Sequence, residues 1–140
     1  MKKMLFETTM INTGGRTGKS FSPDHSFSLD IAPDKAISGV ETTATNPEQL
    51  FAAGYSACFN SALQSVLRRN QVAYESTEVS ASVALYLEPV EHAYSIGVKI
   101  RATVKGIPLE EAKKWVDVAH TVCPYSKAVH GNVDVQLEVQ

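Results

Sequence analysis

The chain has 140 residues, with 13 basic and 15 acidic side chains and a net charge of −2. This length and charge favour a single soluble domain, residues 1–140, and argue against nucleic acid as a partner. With 44% hydrophobic and 20% charged residues, the chain can bury roughly two thirds of its unfolded surface, which excludes disorder as its ground state.

The sequence offers neither a signal peptide nor a membrane span. Lys2 and Lys3 precede an apolar run that Glu7 ends after three residues, too early for a secretory signal. The uncharged stretch over residues 50–67 contains five polar side chains and is too polar to cross a bilayer. We therefore expect a cytoplasmic protein that does not enter a membrane.

The N-terminal part predicts two strands, at residues 4–12 and 26–31, the second because apolar residues alternate along it. The intervening stretch from Gly14 to Ser20 looks like a phosphate-binding loop, but that motif needs a glycine at position 13 and a helix afterwards. Neither is present. We interpret it as a glycine-rich hairpin loop whose Arg16 can offer donors to an anion.

The middle of the chain predicts a long helix. Asn46 suits the N-cap, Pro47 the first helical position, and Gln49 completes a capping-box pattern. The helix is expected to run to Arg69, about 34 Å at ~1.5 Å per residue. Because its middle is apolar or small on nearly every side, we expect a central helix buried all round that another backbone can approach closely.

The C-terminal half alternates apolar and polar residues over 79–87 and 96–104, which predicts an antiparallel hairpin. An amphipathic helix should follow from Pro108 to about Ala119, then a short helical turn after Cys123 and a last strand over 133–139. Without a regular βαβ repeat, this order indicates an α+β fold with mainly antiparallel sheet.

The two cysteines, Cys58 and Cys123, lack C-x-x-C spacing, so any thiol chemistry must join distant segments. Cys58, in the middle of the predicted helix, could equally be an inert small core residue. Cys123 precedes Pro124 at a predicted helix start, where the helix dipole favours a thiolate. A second thiol there could act as a resolving partner.

The histidines leave a metal site open as an alternative. His120, Cys123 and His130 have suitable ligand types, but their spacing matches no recognised zinc motif. We further expect exposed loop positions for His25 and His92, and core positions for Trp115 and Val118.

Residues 45–59, T-N-P-E-Q-L-F-A-A-G-Y-S-A-C-F, closely resemble the signature of the organic hydroperoxide resistance (Ohr) family of the OsmC-like superfamily. Residues 14–16, 123–126 and 131–135 extend the resemblance over essentially the whole chain. One departure is the Val-His pair at 129–130, where the family commonly has Thr-Arg. The resemblance implies mainly antiparallel sheets wrapped around long central helices in an intertwined homodimer.

The resemblance also implies a thiol peroxidase that reduces organic hydroperoxides. Cys58 matches the peroxidatic cysteine, Cys123 the resolving cysteine, and Arg16 and Glu48 the residues that organise the thiolate. No bound cofactor or metal is implied; the implied reductant is a dihydrolipoyl group carried by a lipoylated partner protein. Aromatic residues near Cys58 suggest an apolar entrance for alkyl or fatty-acid hydroperoxides, or alternatively core packing. These aromatic residues are Phe51, Tyr55 and Phe59.

In such a cycle the Cys58 thiolate attacks the distal peroxide oxygen and becomes a sulfenic acid, which condenses with Cys123 to a disulfide that an external dithiol reduces. Arg16 would favour the thiolate and stabilise the charge on the cleaving O–O bond, held by a bidentate pair with Glu48.

Helix geometry separates Glu48 from Cys58 by about 15 Å, since they are ten residues apart on one predicted helix. One hypothesis is that the two groups of one site come from different subunits; a kinked helix or a long reach by Arg16 are alternatives. Two other functions stay open: a peroxidase of the neighbouring OsmC subgroup, and a noncatalytic module that uses its thiols to bind or sense a ligand.

Overall fold

The computed structural model describes all 140 residues and divides the chain into two compact units, Met1–Leu50 and Phe51–Gln140. Each unit contains one three-stranded sheet. No helix combines the length and apolar character that a bilayer crossing requires. With two sheets and four helices the chain is α+β, as expected.

The N-terminal unit is an antiparallel sheet in the order β1-β2-β3. Its elements are β1 (Ile11–Thr13), a single 3₁₀ turn (Gly15–Thr17), β2 (Lys19–Phe21), β3 (Ser28–Asp30) and the short helix α1 (Lys35–Ser38). The expected strand over 4–12 is wrong for all but its last two residues, and β2 was not predicted. β1 pairs only with the three residues of β2, so residues 4–10 have no strand beside them, and Leu5 and Phe6 are 84% and 81% exposed.

The glycine-rich stretch is a hairpin loop, as predicted, because β2 rather than a helix follows it. Gly18 is required by space: a Cβ there would lie 1.8 Å from the Thr13 carbonyl oxygen. Asn12 holds the turn with its amide, which donates to the Gly15 carbonyl and accepts from the Gly15 N–H at 3.2 and 3.0 Å.

The long helix α2 runs from Pro47, the start that its capping pattern predicted, to Arg69, its expected end. The Asn46 side chain accepts the Gln49 N–H at 2.7 Å, so it caps the helix. The Gln49 side chain does not return to Asn46, but accepts from the Thr45 hydroxyl at 2.6 Å.

Only one face of α2 is buried, so the expectation of burial on every side is wrong for the single chain. The opposite face leaves Ala53, Ala57 and Ser61 exposed, four residues apart and therefore in one stripe. The reason is that one sheet can cover only one side of a helix. The buried residues of α2 are Tyr55, Phe59, Leu63, Val66 and Leu67.

The second sheet has the order β4-β5-β6. It comprises β4 (Ser76–Leu87), β5 (Tyr94–Lys105) and β6 (Val135–Val139). β4 and β5 form the predicted antiparallel hairpin, whereas β6 runs parallel to β5. Val98, Ile100 and Ala102 of β5 point into the core with the buried face of α2. Parallel pairing needs a long crossover, and two helices provide it.

The crossover contains α3 (Leu109–Val122) and α4 (Pro124–Val129). α3 buries Ala112, Val116 and Ala119, and Trp115 packs against the core as expected. Val118 is 37% exposed, so its predicted core position is wrong; it lies at the flank of the apolar stripe, one helical turn before the exposed Val122. His25 and His92 are exposed, as expected.

Candidate active site

The two cysteine sulfurs lie together, 3.8 Å apart, with both thiols free. Cys58 is in the middle of α2 and partly exposed, whereas Cys123 sits between α3 and α4 and is fully buried. The disulfide bond length is about 2 Å, so a short approach of the two sulfurs is enough to join them. The geometry is that of a dithiol pair that can cycle to a disulfide.

The environment of the Cys58 sulfur favours the protonated thiol. Burial raises the pKa of Cys58 above its usual value, and the neighbouring Cys123 raises it further, whereas a hydrogen bond from the Tyr125 backbone N–H lowers it. The raising effects prevail. A nucleophilic thiolate at this position therefore needs a positive charge nearby.

Aromatic rings pack beside the sulfur pair. The ring of Tyr125 lies 5.9 Å from that of Phe51 and 5.6 Å from that of Tyr55. Tyr55 and Phe59 are fully buried. They are therefore core residues, as the alternative interpretation held, and do not line an entrance. Phe51 and Tyr125 keep part of their surface exposed and form an apolar wall near Cys58. Tyr125 fits closely because Gly54 has no side chain.

A hydrogen-bonded chain of three side chains also lies here, and it was not predicted from the sequence. The Tyr55 hydroxyl is 2.7 Å from the Ser126 hydroxyl, which is 2.9 Å from Nδ1 of His120. The signal that could have found it is the three-residue spacing of Tyr55 from Cys58, and of both Ser126 and His120 from Cys123.

The alternative of a metal site at His120, Cys123 and His130 is not assembled. His120 contacts Ser126 and Cys123 contacts Cys58. No group of three or more ligand-type side chains is placed to hold a metal ion. Burial and the proximity of His130 lower the pKa of His120.

Arg16 and Glu48 form the bidentate ion pair expected from the sequence. The two guanidinium nitrogens of Arg16 donate to the two carboxylate oxygens of Glu48 at 2.9 and 2.6 Å. These hydrogen bonds lower the pKa of Glu48. Both residues belong to the N-terminal unit, where Arg16 lines an apolar pocket of about 330 Å³ together with Ile31 and Leu50.

Comparison with known proteins identifies the family of this chain. The profile described as OsmC-like protein matches residues 39–138. The organic hydroperoxide resistance protein OhrA of Bacillus subtilis is 47% identical over 140 residues, covering 99% of each chain. The organic hydroperoxide resistance protein-like 2 of Staphylococcus epidermidis is 45% identical over 139 residues, 99% of this chain and 98% of that one.

The fold agrees with the sequence comparison. A crystal structure of an organic hydroperoxide resistance protein OsmC from Legionella pneumophila matches with a TM-score of 0.91 and 42% identity over 99% of both chains. The chain belongs to the OsmC-like family. Its relatives of nearly equal length place it, within that family, among the organic hydroperoxide resistance proteins.

Proposed function

We propose that this protein is a cysteine-based peroxidase that reduces organic hydroperoxides to alcohols. The observation that carries the proposal is the pair of free thiols, Cys58 and Cys123, 3.8 Å apart. The organic hydroperoxide resistance named for the relatives is the function that such a pair fits. The partial exposure of Cys58 makes it the sulfur that meets the substrate, and the buried Cys123 is the resolving residue.

The first step is attack of the Cys58 thiolate on the distal peroxide oxygen. The O–O bond breaks, the alkoxide takes a proton and leaves as the alcohol, and Cys58 becomes a sulfenic acid. Cys123 then attacks the sulfenic sulfur, water leaves, and a disulfide forms. A dihydrolipoyl dithiol on a partner protein reduces this disulfide by two exchange steps, so the cycle uses no bound cofactor.

Arg16 supplies the positive charge that the Cys58 thiolate needs. Its forked donors also suit the negative charge that develops on the peroxide oxygens. The paired Glu48 carboxylate fixes the orientation of the guanidinium. Both are catalytic residues of the proposed reaction.

The substrate class is alkyl and fatty-acid hydroperoxides. Phe51 and Tyr125 form an apolar wall beside Cys58, with ring centres 5.9 Å apart, and the pocket that contains Arg16 is also mainly apolar. Such surfaces bind hydrocarbon chains better than they bind hydrogen peroxide. Because the cycle depends on thiols that return to the reduced state, we assign it to the cytoplasm.

The active unit is a homodimer. The exposed stripe of Ala53, Ala57 and Ser61 on α2 allows a second helix to approach closely, and the exposed Leu5 and Phe6 offer apolar surface to a partner. Since Glu48 and Cys58 are ten residues apart in sequence, helix rise of ~1.5 Å per residue supports a composite site with the two groups from different subunits.

The test is mass spectrometry of the protein after one equivalent of an alkyl hydroperoxide, followed by turnover with dihydrolipoamide. We expect an intramolecular Cys58–Cys123 disulfide and sustained consumption of hydroperoxide. Two free thiols after treatment would refute the mechanism. Loss of one equivalent without turnover would instead identify a binding or sensing module. Faster turnover with hydrogen peroxide than with alkyl hydroperoxides would contradict the substrate class and favour the neighbouring OsmC subgroup.

A further inference from the structure

Among the contacts that join α2 to the segment that carries Cys123, two have the same spacing on both sides. Cys58 meets Cys123, and Tyr55, three residues before Cys58, meets Ser126, three residues after Cys123. Residues three apart are neighbours on a helix surface. The hydroxyl contact therefore lies one helical turn from the sulfur contact and fixes the same two segments against each other.

The hydroxyl contact is the stronger of the two in the reduced protein. A thiol is a weak hydrogen-bond donor and a weak acceptor, and the sulfurs are 3.8 Å apart. The Tyr55 and Ser126 oxygens are 2.7 Å apart, a normal length for a hydrogen bond between hydroxyls. The position of the Cys123 sulfur before the disulfide forms is thus set by Tyr55 and Ser126 more than by the sulfurs themselves.

His120 completes the chain. Burial and the nearby His130 lower the pKa of His120, so its imidazole is neutral near pH 7 and, with its proton on Nε2, accepts at Nδ1. Ser126 then donates to His120 at 2.9 Å and accepts from the Tyr55 hydroxyl. No buried side-chain nitrogen or oxygen of these three residues lacks a hydrogen-bond partner.

From this arrangement we propose that Ser126 and His120 are positioning residues for disulfide formation, acting through Tyr55 to hold the Cys123 sulfur beside Cys58. The inference rests on the proposed peroxidase function and concerns its second step. In that step a sulfur–sulfur bond forms, the S–O bond of the Cys58 sulfenic acid and the S–H bond of Cys123 break, and water leaves. The attack on hydroperoxide by Cys58 needs none of these contacts.

Slow disulfide formation has a chemical signature. A sulfenic acid that waits for Cys123 meets a second hydroperoxide, which transfers an oxygen to give the Cys58 sulfinic acid and another alcohol. The fraction of sulfinic acid at a given hydroperoxide concentration therefore reports the speed of disulfide formation. A loss of overall stability alone does not change this ratio in the folded protein.

The experiment compares Ser126→Ala, Tyr55→Phe and Thr121→Val with the parent protein. The reactions are single turnovers with an alkyl hydroperoxide, stopped by acid and analysed by mass spectrometry. We expect Tyr55→Phe, which loses one buried hydrogen bond, to form the disulfide about tenfold more slowly. Ser126→Ala loses two hydrogen bonds and should be slowed at least as much. Oxidation of Cys58 should keep the parent rate. Thr121→Val is the matched control, since the Thr121 hydroxyl donates only to the Val118 carbonyl of its own helix.

His120 supplies a second pair of variants, in which one change removes the hydrogen-bond acceptor and the other replaces it. His120→Ala should slow disulfide formation and increase the sulfinic acid, whereas His120→Asn should restore much of the parent behaviour, because its amide oxygen takes a place close to that of Nδ1. Disulfide formation at the parent rate in both Ser126→Ala and His120→Ala would overturn the proposal. A parent protein that forms no disulfide at all would instead overturn the proposed function.

Discussion

The sulfur of Cys58 lies 3.8 Å from the sulfur of Cys123, although 65 residues separate the two in sequence. α2 provides one thiol, and the crossover between β5 and β6 provides the other. Since the thiols already touch in the reduced protein, the disulfide can form without unfolding either element. Packing of the C-terminal unit, rather than a local sequence motif, brings the two thiols together.

Replacement of Cys123, the proposed resolving cysteine, should separate the two halves of the proposed cycle. In Cys123→Ser we expect Cys58 to react with one equivalent of alkyl hydroperoxide and to accumulate as sulfinic acid when more is added, because no thiol captures the sulfenic acid. Mass spectrometry measures both products. Cys58→Ser is the control and should not react. Sustained turnover of Cys123→Ser with dihydrolipoamide would contradict the assigned role.

Arg16 should control the reactivity of Cys58. In Arg16→Ala we expect a higher pKa of the Cys58 thiol and an oxidation rate lower by roughly a hundredfold, since both the charge and the donors to the peroxide are lost. Arg16→Lys should recover part of the pKa effect but not the forked geometry. Thiolate absorbance against pH and stopped-flow oxidation give the two quantities. Equal rates in all three proteins would remove Arg16 from the mechanism.

The Arg16–Glu48 pair should contribute stability that depends on pH. The pKa of Glu48 is lowered from its usual value of 4.5, so the contribution is complete above that value and is lost as pH falls through the lowered pKa. Against Glu48→Gln, the parent should gain about 1 kcal/mol or less in the free energy of unfolding at neutral pH, because Arg16 is half exposed.

Denaturant titrations at several pH values measure this difference, which should shrink in acid because a protonated Glu48 resembles glutamine. Glu110→Gln is a matched control: its ion pair with Lys113 is highly exposed, so it should show little difference at any pH. A gap between parent and Glu48→Gln that persists unchanged into acid would refute the ion-pair origin.

Gly54→Ala should destabilise the protein, although alanine usually favours a helix by about 1 kcal/mol over glycine. The added methyl would lie 2.6 Å from the Tyr125 hydroxyl oxygen and 3.2 Å from the ring carbon that bears it. The Tyr125 ring must move, at a typical overpacking cost of about 1–3 kcal/mol. Thermal unfolding measures the effect, and adding Tyr125→Phe should recover part of it. Increased stability of Gly54→Ala alone would disprove the close fit.

Mixed dimers should identify which subunit provides each catalytic group. Purified Cys58→Ala and Glu48→Ala chains are each expected to be inactive, and a composite site predicts that their heterodimer regains one intact site. Activity after mixing should then approach one half that of parent dimers per heterodimer. Sedimentation establishes the dimer first. No recovery in a verified heterodimer would assign Glu48 and Cys58 of one site to the same subunit.

The predictions from sequence succeeded where the determinants are local. The start of α2 follows from Asn46 and Pro47. The Asn46 side chain caps an N–H of the first helical turn, and Pro47 is the first helical residue. The strand predicted over 4–12 was mostly wrong, because a strand needs a neighbouring strand to pair with. The sequence of one segment does not show whether such a neighbour exists. The core position predicted for Val118 was wrong because Val118 lies at the flank of the stripe that α3 buries through Ala112, Val116 and Ala119.

The candidate site likewise contains residues that the sequence indicated and a contact that it could not predict. The resemblance indicated Cys58 and Cys123, and the ion pair of Arg16 with Glu48 is formed as expected. The contact of Ser126 with Tyr55 could not be predicted, because it depends on the angle at which α4 packs on α2. Sequence spacing shows only that each hydroxyl lies one turn from a cysteine.

The parallel pairing of β6 with β5 has a consequence for motion during the redox cycle. The segment that bears Cys123 is anchored at both ends, to Lys105 of β5 and Val135 of β6. Because both strands belong to one sheet, this bridge between them can move only locally. Oxidised and reduced forms should then superpose closely outside this bridge. In a chain that lacks β6 one end of this segment would be free, and we expect the proposed disulfide to form more slowly.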